Sequence, residues 1–179
     1  MLGAMKKWLL LLFCVSTFAA CQSAPVREGE PAKVDIPNFM VIAPGISSGG
    51  QVDPAHFLPM KAMGYSTVIN LRPDSEDYPA HEPKLAEAAG IAYYQIPVTG
   101  SALTMDSAYE LQRVLAEAPD GHVLIHCRSG ARVGAIWGMY QAVENDLNTD
   151  AAVQAAWDAG VRKQALVDQV QALLEGMKN

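Results

Sequence analysis

Val123-Leu124-Ile125-His126-Cys127-Arg128-Ser129-Gly130-Ala131-Arg132 joins an apolar run, a cysteine and two arginines within ten residues. Its apolar opening follows a Pro119-Asp120-Gly121 turn and has the length and composition of a buried strand. The strand ends in a cysteine, a loop containing Gly130 follows, and a helix is expected from Arg132. Strand, cysteine, glycine-containing turn and helix N-terminus together make an anion cradle with a nucleophile at its floor.

That cradle asks three things of its residues. Cys127 must be a thiolate, because the protonated thiol is a weak nucleophile. Lowering a thiol pKa by ~3 takes ~4 kcal/mol of preferential anion stabilisation. Helix N-terminal amides, loop amides and guanidinium groups are sources of that energy. Gly130 lets the loop amides converge, with Arg128, Ser129 and Ala131 completing the loop and the Arg128 side chain turned outward. Arg132 returns across the loop to hold oxygens bidentately.

Outward from this stretch, strands alternate with helices. Strands are expected at 39–42, 46–50, 65–71, 91–97 and 122–126. Helices are expected at 53–64, 82–89, 104–118, 132–145, 149–160 and 162–177, with Thr104 and Thr149 as caps. Pro59 must kink the first helix or delay its start. Gly134 and Gly138, one turn apart, would let the helix after the cysteine lie close to a neighbour. Trp137, Tyr140 and Trp157 read as core. The pattern gives an α/β fold of three layers, a mostly parallel central sheet flanked by helices, in one domain over 37–179.

The N-terminus is of another kind. Lys6-Lys7, an apolar run from Trp8 to Phe18 and Ala19-Ala20 before Cys21 form a secretory signal over 1–20, too short to span a bilayer comfortably. Small residues directly before cysteine resemble the bacterial lipoprotein signal, which implies a lipid on Cys21 and a membrane anchor; a plain signal peptide is the alternative. Gln22 resembles lipoproteins sorted to the outer membrane, facing the periplasm. Residues 21–36 read as the lipidated start and a flexible tether. Loss of the signal removes Lys6, Lys7 and no acid, so 13 basic residues become 11 against 19 acidic ones, and the net charge moves from −6 to −8. So acidic a chain, lacking a basic run, is a poor nucleic-acid binder. Cys127 is then the free thiol of an exported chain, either reactive or buried and inert. His56, His81 and His122 lack metal-ligand spacing and read as surface residues, and no metal or cofactor is expected.

His126-Cys127-x-x-Gly130 followed by Arg132 resembles the signature of the protein tyrosine and dual-specificity phosphatases. Ser48-Gly49-Gly50-Gln51, Thr67 to Arg72, Gly90-Ile91 and Ile96-Pro97-Val98 extend the resemblance over about 39–145. They are most similar to the bacterial phosphatase-like domain known as beta-lactamase-hydrolase-like. The resemblance implies a Cys127 nucleophile, an oxyanion held by loop amides and Arg132, a His126 that orders the loop by hydrogen bonds rather than acting as a base, and a phosphorylated substrate or small oxyanion.

Three features depart from the phosphatase pattern. Four residues rather than five separate Cys127 from Arg132, as in rhodanese-type sulfurtransferases, where the cysteine carries a persulfide. Val133 stands where a Ser or Thr is usual. The aspartate that protonates the leaving group is missing after Ile96-Pro97-Val98; Asp74, Glu76 and Asp106 are the candidate substitutes. Without an acid, hydrolysis of a poor leaving group slows by about two to four orders of magnitude. Three readings follow: an exported phosphatase-like hydrolase, a sulfurtransferase, or a non-catalytic oxyanion- or partner-binding domain. Presence of both Cys127 and Arg132 argues against the last.

Overall fold

The computed structural model describes residues 27–77 and 81–177. The expected signal, Cys21 and the first part of the tether lie outside these residues. Strands β1 (Met40–Ala43), β2 (Ile46–Gly49), β3 (Tyr65–Asn70), β4 (Ala92–Gln95) and β5 (His122–His126) form one sheet in the order β1-β2-β5-β3-β4. Only the edge pair β1–β2 is antiparallel; β5 runs parallel to both β2 and β3, and β3 parallel to β4. Strands β3 and β5 are covered on both faces, which is why each reads as a run of apolar and branched residues instead of a clean alternation.

Two cores sandwich the sheet. Helices α3 (Met105–Glu117), α4 (Ala131–Asn145), α5 (Thr149–Asp158) and α6 (Gln164–Gly176) pack on one face around Val123, Ile125 and Ile69. Helices α1 (Phe57–Ala62) and α2 (Glu82–Ala89) pack on the other around Leu124, Val68 and Tyr65. This is the three-layer α/β architecture expected. The alternation of β5 sends Val123, Ile125 and Cys127 to the α4 side and Leu124 to the α2 side.

Pro59 is accommodated by a late start. A 3₁₀ turn over Pro54–His56, capped by the Asp53 carboxylate on the Ala55 amide, precedes α1, so Pro59 falls in its first turn, where no amide partner is lost. The cap of α5 is Asn148, whose side chain accepts from the Ala151 amide, and not Thr149, which is buried as the first helical residue. Gly134 and Gly138 do set the spacing of α4 on α5. A Cβ at Gly134 would lie 2.8 Å from the Ala156 carbonyl oxygen, and one at Gly138 2.5 Å from that of Ala152.

The expected tether does not extend to residue 36. Pro31, Val34 and Ile36 are buried, Val34 and Ile36 in the α1–α2 core. The Arg27 guanidinium donates to the carbonyls of Leu115, Ala118, Pro119 and Gly121 at the end of α3. Isolated apolar residues among polar ones gave no periodic signal, yet they are enough to hold a strap on the surface of a sheet.

Candidate active site

Cys127 follows the last residue of the central strand, 1% exposed, with its sulfur beneath the N-terminus of α4. The Gly130 amide donates to Cys127 Sγ at 3.1 Å. Gly130 adopts φ +83° as the residue before α4, a conformation strained for any residue with a Cβ, and the helix begins at Ala131.

The direction of the other amides follows from where the loop carbonyls are tied. The Arg128 carbonyl accepts from the Gln51 amide at 3.3 Å, and the Ser129 carbonyl from Asn38 Nδ2 at 3.1 Å. Both point away from Cys127. In a trans peptide the N–H opposes the C=O, so the Ser129 and Gly130 amides face inward. The first intrahelical bond is Gly134 to Gly130, which leaves the amides of Ala131, Arg132 and Val133 without intrahelical partners at the mouth of the cradle. Gly50 makes this support possible: a Cβ there would meet the carbonyls of Pro37 at 3.0 Å and Arg128 at 3.2 Å.

Arg132, on the first turn of α4, is 8% exposed. Its Nη1 donates to Glu76 Oε1 at 2.7 Å and to the Val98 carbonyl at 2.8 Å, and its Nη2 to Glu76 Oε2 at 2.9 Å. Those contacts occupy the Nη1–Nη2 edge. The Nε–Nη2 edge is uncommitted, and a second bidentate contact can form there. The hydrogen bond from Arg132 holds the Glu76 carboxyl below its ordinary pKa, with the Arg72 guanidinium, 3.0 Å away, adding to the effect. Glu76 therefore orients the arginine as an anion and is a poor proton donor near neutrality.

His126 lies on the opposite side of β5 from Cys127. Its Nε2 is 3.5 Å from Glu82 Oε2, with both side chains fully buried, and neither ring nitrogen makes a hydrogen bond. The loop-ordering hydrogen bonds expected of this histidine are thus made by Asn38 and Gln51 instead. Glu82 accepts from Tyr93 Oη at 2.8 Å, from Asn70 Nδ2 at 3.3 Å and from Gln51 Nε2. Burial pushes its carboxyl up, but His126, Tyr93 and Gln51 outweigh that and hold it below the ordinary value. Gln51 Oε1 in turn accepts from Arg72, which reaches Glu76. A continuous polar chain therefore runs from buried Glu82 through Gln51, Arg72 and Glu76 to Arg132.

A cleft of about 430 Å³ opens beside the loop, lined by Glu76, Gly100, Ser101, Arg128, Arg132 and Lys163 among others. Gly100 and Ser101 occupy the turn after β4, where the resemblance would put an acid. Of the other candidate acids, Asp74 accepts from Gln95 Nε2 and Asp106 lies exposed on the first turn of α3; neither lines the cleft. Arg128 and Ser129 are exposed, whereas Ala131 and Val133 are buried. His81 is exposed and His56 and His122 half-buried, with His122 edge-on to Tyr65. Asn38, Glu82 and the role of Gln51 were not evident in the sequence. Only Gln51, within the Ser48–Gln51 stretch, carried any signal.

Residues 38–144 match the family described as beta-lactamase hydrolase-like protein, phosphatase-like domain. A beta-lactamase hydrolase-like protein of Xylella fastidiosa (strain Temecula1) is 32% identical over 109 residues, 59% of this chain. The chain spans about a quarter of the length of that curated relative, 25% of it. A DUF442 protein of Shewanella putrefaciens CN-32, described as a candidate phosphatase, superposes with a TM-score of 0.64 at 27% identity, covering 78% of this chain and 95% of that one. Pseudomonas aeruginosa TpbA has the same fold at 19% identity and a TM-score of 0.57, covering 87% of this chain and 98% of its own. A cysteine-phosphatase fold, with the family match spanning the sheet and the loop between Cys127 and Arg132, leads to one conclusion: the chain belongs to the phosphatase-like domain family of beta-lactamase hydrolase-like proteins.

Proposed function

We propose that the chain is a phosphatase-like hydrolase in which the Cys127 thiolate attacks the phosphorus of a phosphomonoester. The observation that carries this reading is Cys127 Sγ held by the Gly130 amide at the start of α4, with Arg132 on the first turn of the same helix and one edge of its guanidinium open. As the S–P bond forms, the bond from phosphorus to the leaving oxygen breaks. The amides and Arg132 hold the equatorial oxygens through the charge build-up. Water then attacks the phosphocysteine, releasing inorganic phosphate and restoring the thiolate. The departing oxygen takes its proton from solvent, since the cleft-lining carboxylate is the ionised Glu76.

Sulfur transfer is the second reading, favoured by the four-residue spacing and by a cleft whose β4 turn carries Gly100 and Ser101 in place of a carboxylic acid. In it Cys127 takes the outer sulfur of thiosulfate, releasing sulfite, and passes that sulfur to a thiol or cyanide. The sequence of residues 1–26 further supports export, a lipid on Cys21 and attachment to the periplasmic face of the outer membrane.

The full chain and its Cys127→Ser variant, assayed with p-nitrophenyl phosphate and with thiosulfate plus cyanide, test both. Release of p-nitrophenol that Cys127→Ser abolishes is the expected result. Turnover of thiosulfate alone would replace the first reading by the second. Activity surviving in Cys127→Ser would refute both.

A further inference from the structure

We infer that the substrate carries a second anionic group besides the one delivered to Cys127, and that Arg162 and Lys163, aided by Arg128, receive it. This rests on the phosphatase-like reading for the reacting group, but the second subsite stands on separate residues.

The chain as a whole is acidic, at −6, and its buried or helical arginines are matched to carboxylates: Arg72 and Arg132 to Glu76, Arg113 to Glu110 and Glu117. Arg128, Arg162 and Lys163 are different. All three are exposed, none has a carboxylate partner among the described residues, and all three line the spaces around the Cys127 loop. An unbalanced set of cations at one mouth of an acidic protein focuses a positive field on that mouth and repels cationic ligands from it.

Geometry gives that field a shape. Besides the cleft over Arg132, a second groove of about 360 Å³ runs along the other side of the loop, past Asn38, Gly130, Arg162 and Lys163. The two meet at Ser129, Ala131 and Lys163, which line both. Among the described residues, no carboxylate lines the second groove. A ligand with one phosphoryl group at Cys127 can therefore cross Lys163 and place a further anion near Arg162. Spaces of this size exceed what a lone phosphate fills and fall in the range, about 300–1,000 Å³, of small-molecule sites.

Arg162 is built for the task in one more respect. Its Nη1 donates to the carbonyls of Trp157 at 2.8 Å and Val161 at 2.7 Å, anchoring the guanidinium at the end of α5, while Nε and Nη2 make no hydrogen bond. The anchored fork loses little freedom on meeting an anion. Both Arg162 and Lys163 lie in the α5–α6 connection, outside residues 38–144 that match the family. Together they would select for a phosphomonoester bearing a second phosphate or carboxylate.

Calorimetric titration of the full chain in the Cys127→Ser background tests this without chemistry. The probes are inorganic phosphate, methylenebisphosphonate and fructose 1,6-bisphosphate, at constant ionic strength. At least one of the two-headed probes should bind about tenfold tighter than phosphate, an advantage that one charge-assisted contact can supply. Lys163→Gln should reduce that advantage, and Arg162→Ala with Lys163→Gln should remove it. Arg113→Ala, which deletes a cation far from the groove, should leave it intact. Equal affinity for all three probes, or an advantage that survives the double variant, would overturn the inference. With Cys127 restored, p-nitrophenyl phosphate turnover should be within twofold of wild type in Arg113→Ala, whose side chain pairs with Glu110 and Glu117 outside both grooves. Failure of that turnover in wild type would refute the hydrolase reading alone, since the titrations still decide the subsite.

Discussion

Removing the Glu82 carboxylate should cost a large part of the stability of this domain. The side chain is fully buried and accepts from Tyr93, Asn70 and Gln51, with His126 at 3.5 Å. Each hydrogen bond to a charged acceptor contributes about 1.5–3 kcal/mol, and the contributions do not add in full because Asn70 also donates to Tyr93 and Gln51 to Val52. Glu82→Ala is therefore expected to lose about 3–5 kcal/mol, in line with breaking other buried charged networks, out of a total of about 5–15. Glu82→Gln keeps the shape and one acceptor but turns an NH₂ group on surrounding donors, for a loss of about 2–3 kcal/mol. The pH dependence has a definite sign. A carboxyl whose folded pKa lies below its ordinary 4.5 adds stability above that value and loses it as pH falls through the folded pKa. The gap between wild type and Glu82→Gln should therefore narrow in acid. Urea unfolding of both variants at pH 7, repeated with wild type and Glu82→Gln near pH 4, measures all of this. A Glu82→Ala protein within about 1 kcal/mol of wild type at pH 7 would refute the assignment of Glu82 as the acceptor at the centre of this network.

Glu76→Gln should lower kcat/KM for p-nitrophenyl phosphate by about tenfold to a hundredfold through misplacement of Arg132, with little change in unfolding midpoint. In wild type the same contact weakens only as pH falls below the ordinary carboxyl value of 4.5 and through the lowered folded value, so this part of the activity holds through the neutral range and is lost in acid; a pH–rate profile checks it. Gly138→Ala should cost about 1–3 kcal/mol by forcing α4 from α5, read by thermal unfolding, whereas Gly176→Ala, with nothing within 4 Å of its added Cβ, should be neutral or stabilising. Across a series of aryl phosphates, kcat should fall steeply as the leaving group becomes more basic, because no neutral acid lines the cleft. Alkyl phosphates turned over as fast as p-nitrophenyl phosphate would reveal a proton donor where none is assigned.

The parts of this site that are local in sequence were legible in it. Val123 to Arg132 contains the strand, the cysteine, the left-handed Gly130 and the helix start within one run, so their mutual geometry is set by neighbouring residues. The glycine pair in α4 was legible for the same reason, since a small residue every fourth position marks one face of one helix. Contacts that join distant stretches were not. Glu76 meets Arg132 across 56 residues, and Asn38 reaches Ser129 across 91. Glu76 appeared in the sequence only as one of several carboxylates in a charged loop, and as a candidate acid. Its bidentate arginine partner gives it the opposite chemistry. His126 was misread in a related way. The phosphatase-like motif suggested a bond to the loop, but period-two alternation along β5 turns successive side chains to opposite layers, and the histidine faces Glu82 of α2.

The short spacing between Cys127 and Arg132 is the feature on which a phosphatase and a sulfurtransferase reading diverge, and the structure explains how the loop closes with one residue fewer. Gly130 turns the chain directly into α4, so Arg132 is already helical and its side chain reaches Glu76 and the Val98 carbonyl from a rigid base. The amides that face Cys127 are directed from outside, by Asn38 and Gln51 holding the carbonyls of Ser129 and Arg128. An oxyanion senses the direction of donors, not the number of residues that supply them. Spacing alone therefore does not separate phosphorus from sulfur as the atom attacked. What separates them is the leaving group: a phosphomonoester must expel an oxygen anion, and this cleft offers it guanidinium and ammonium groups but no carboxylic acid. A substrate that fits both conditions has a leaving group already stabilised as an anion, or one whose own charges are held by the cations that line the groove.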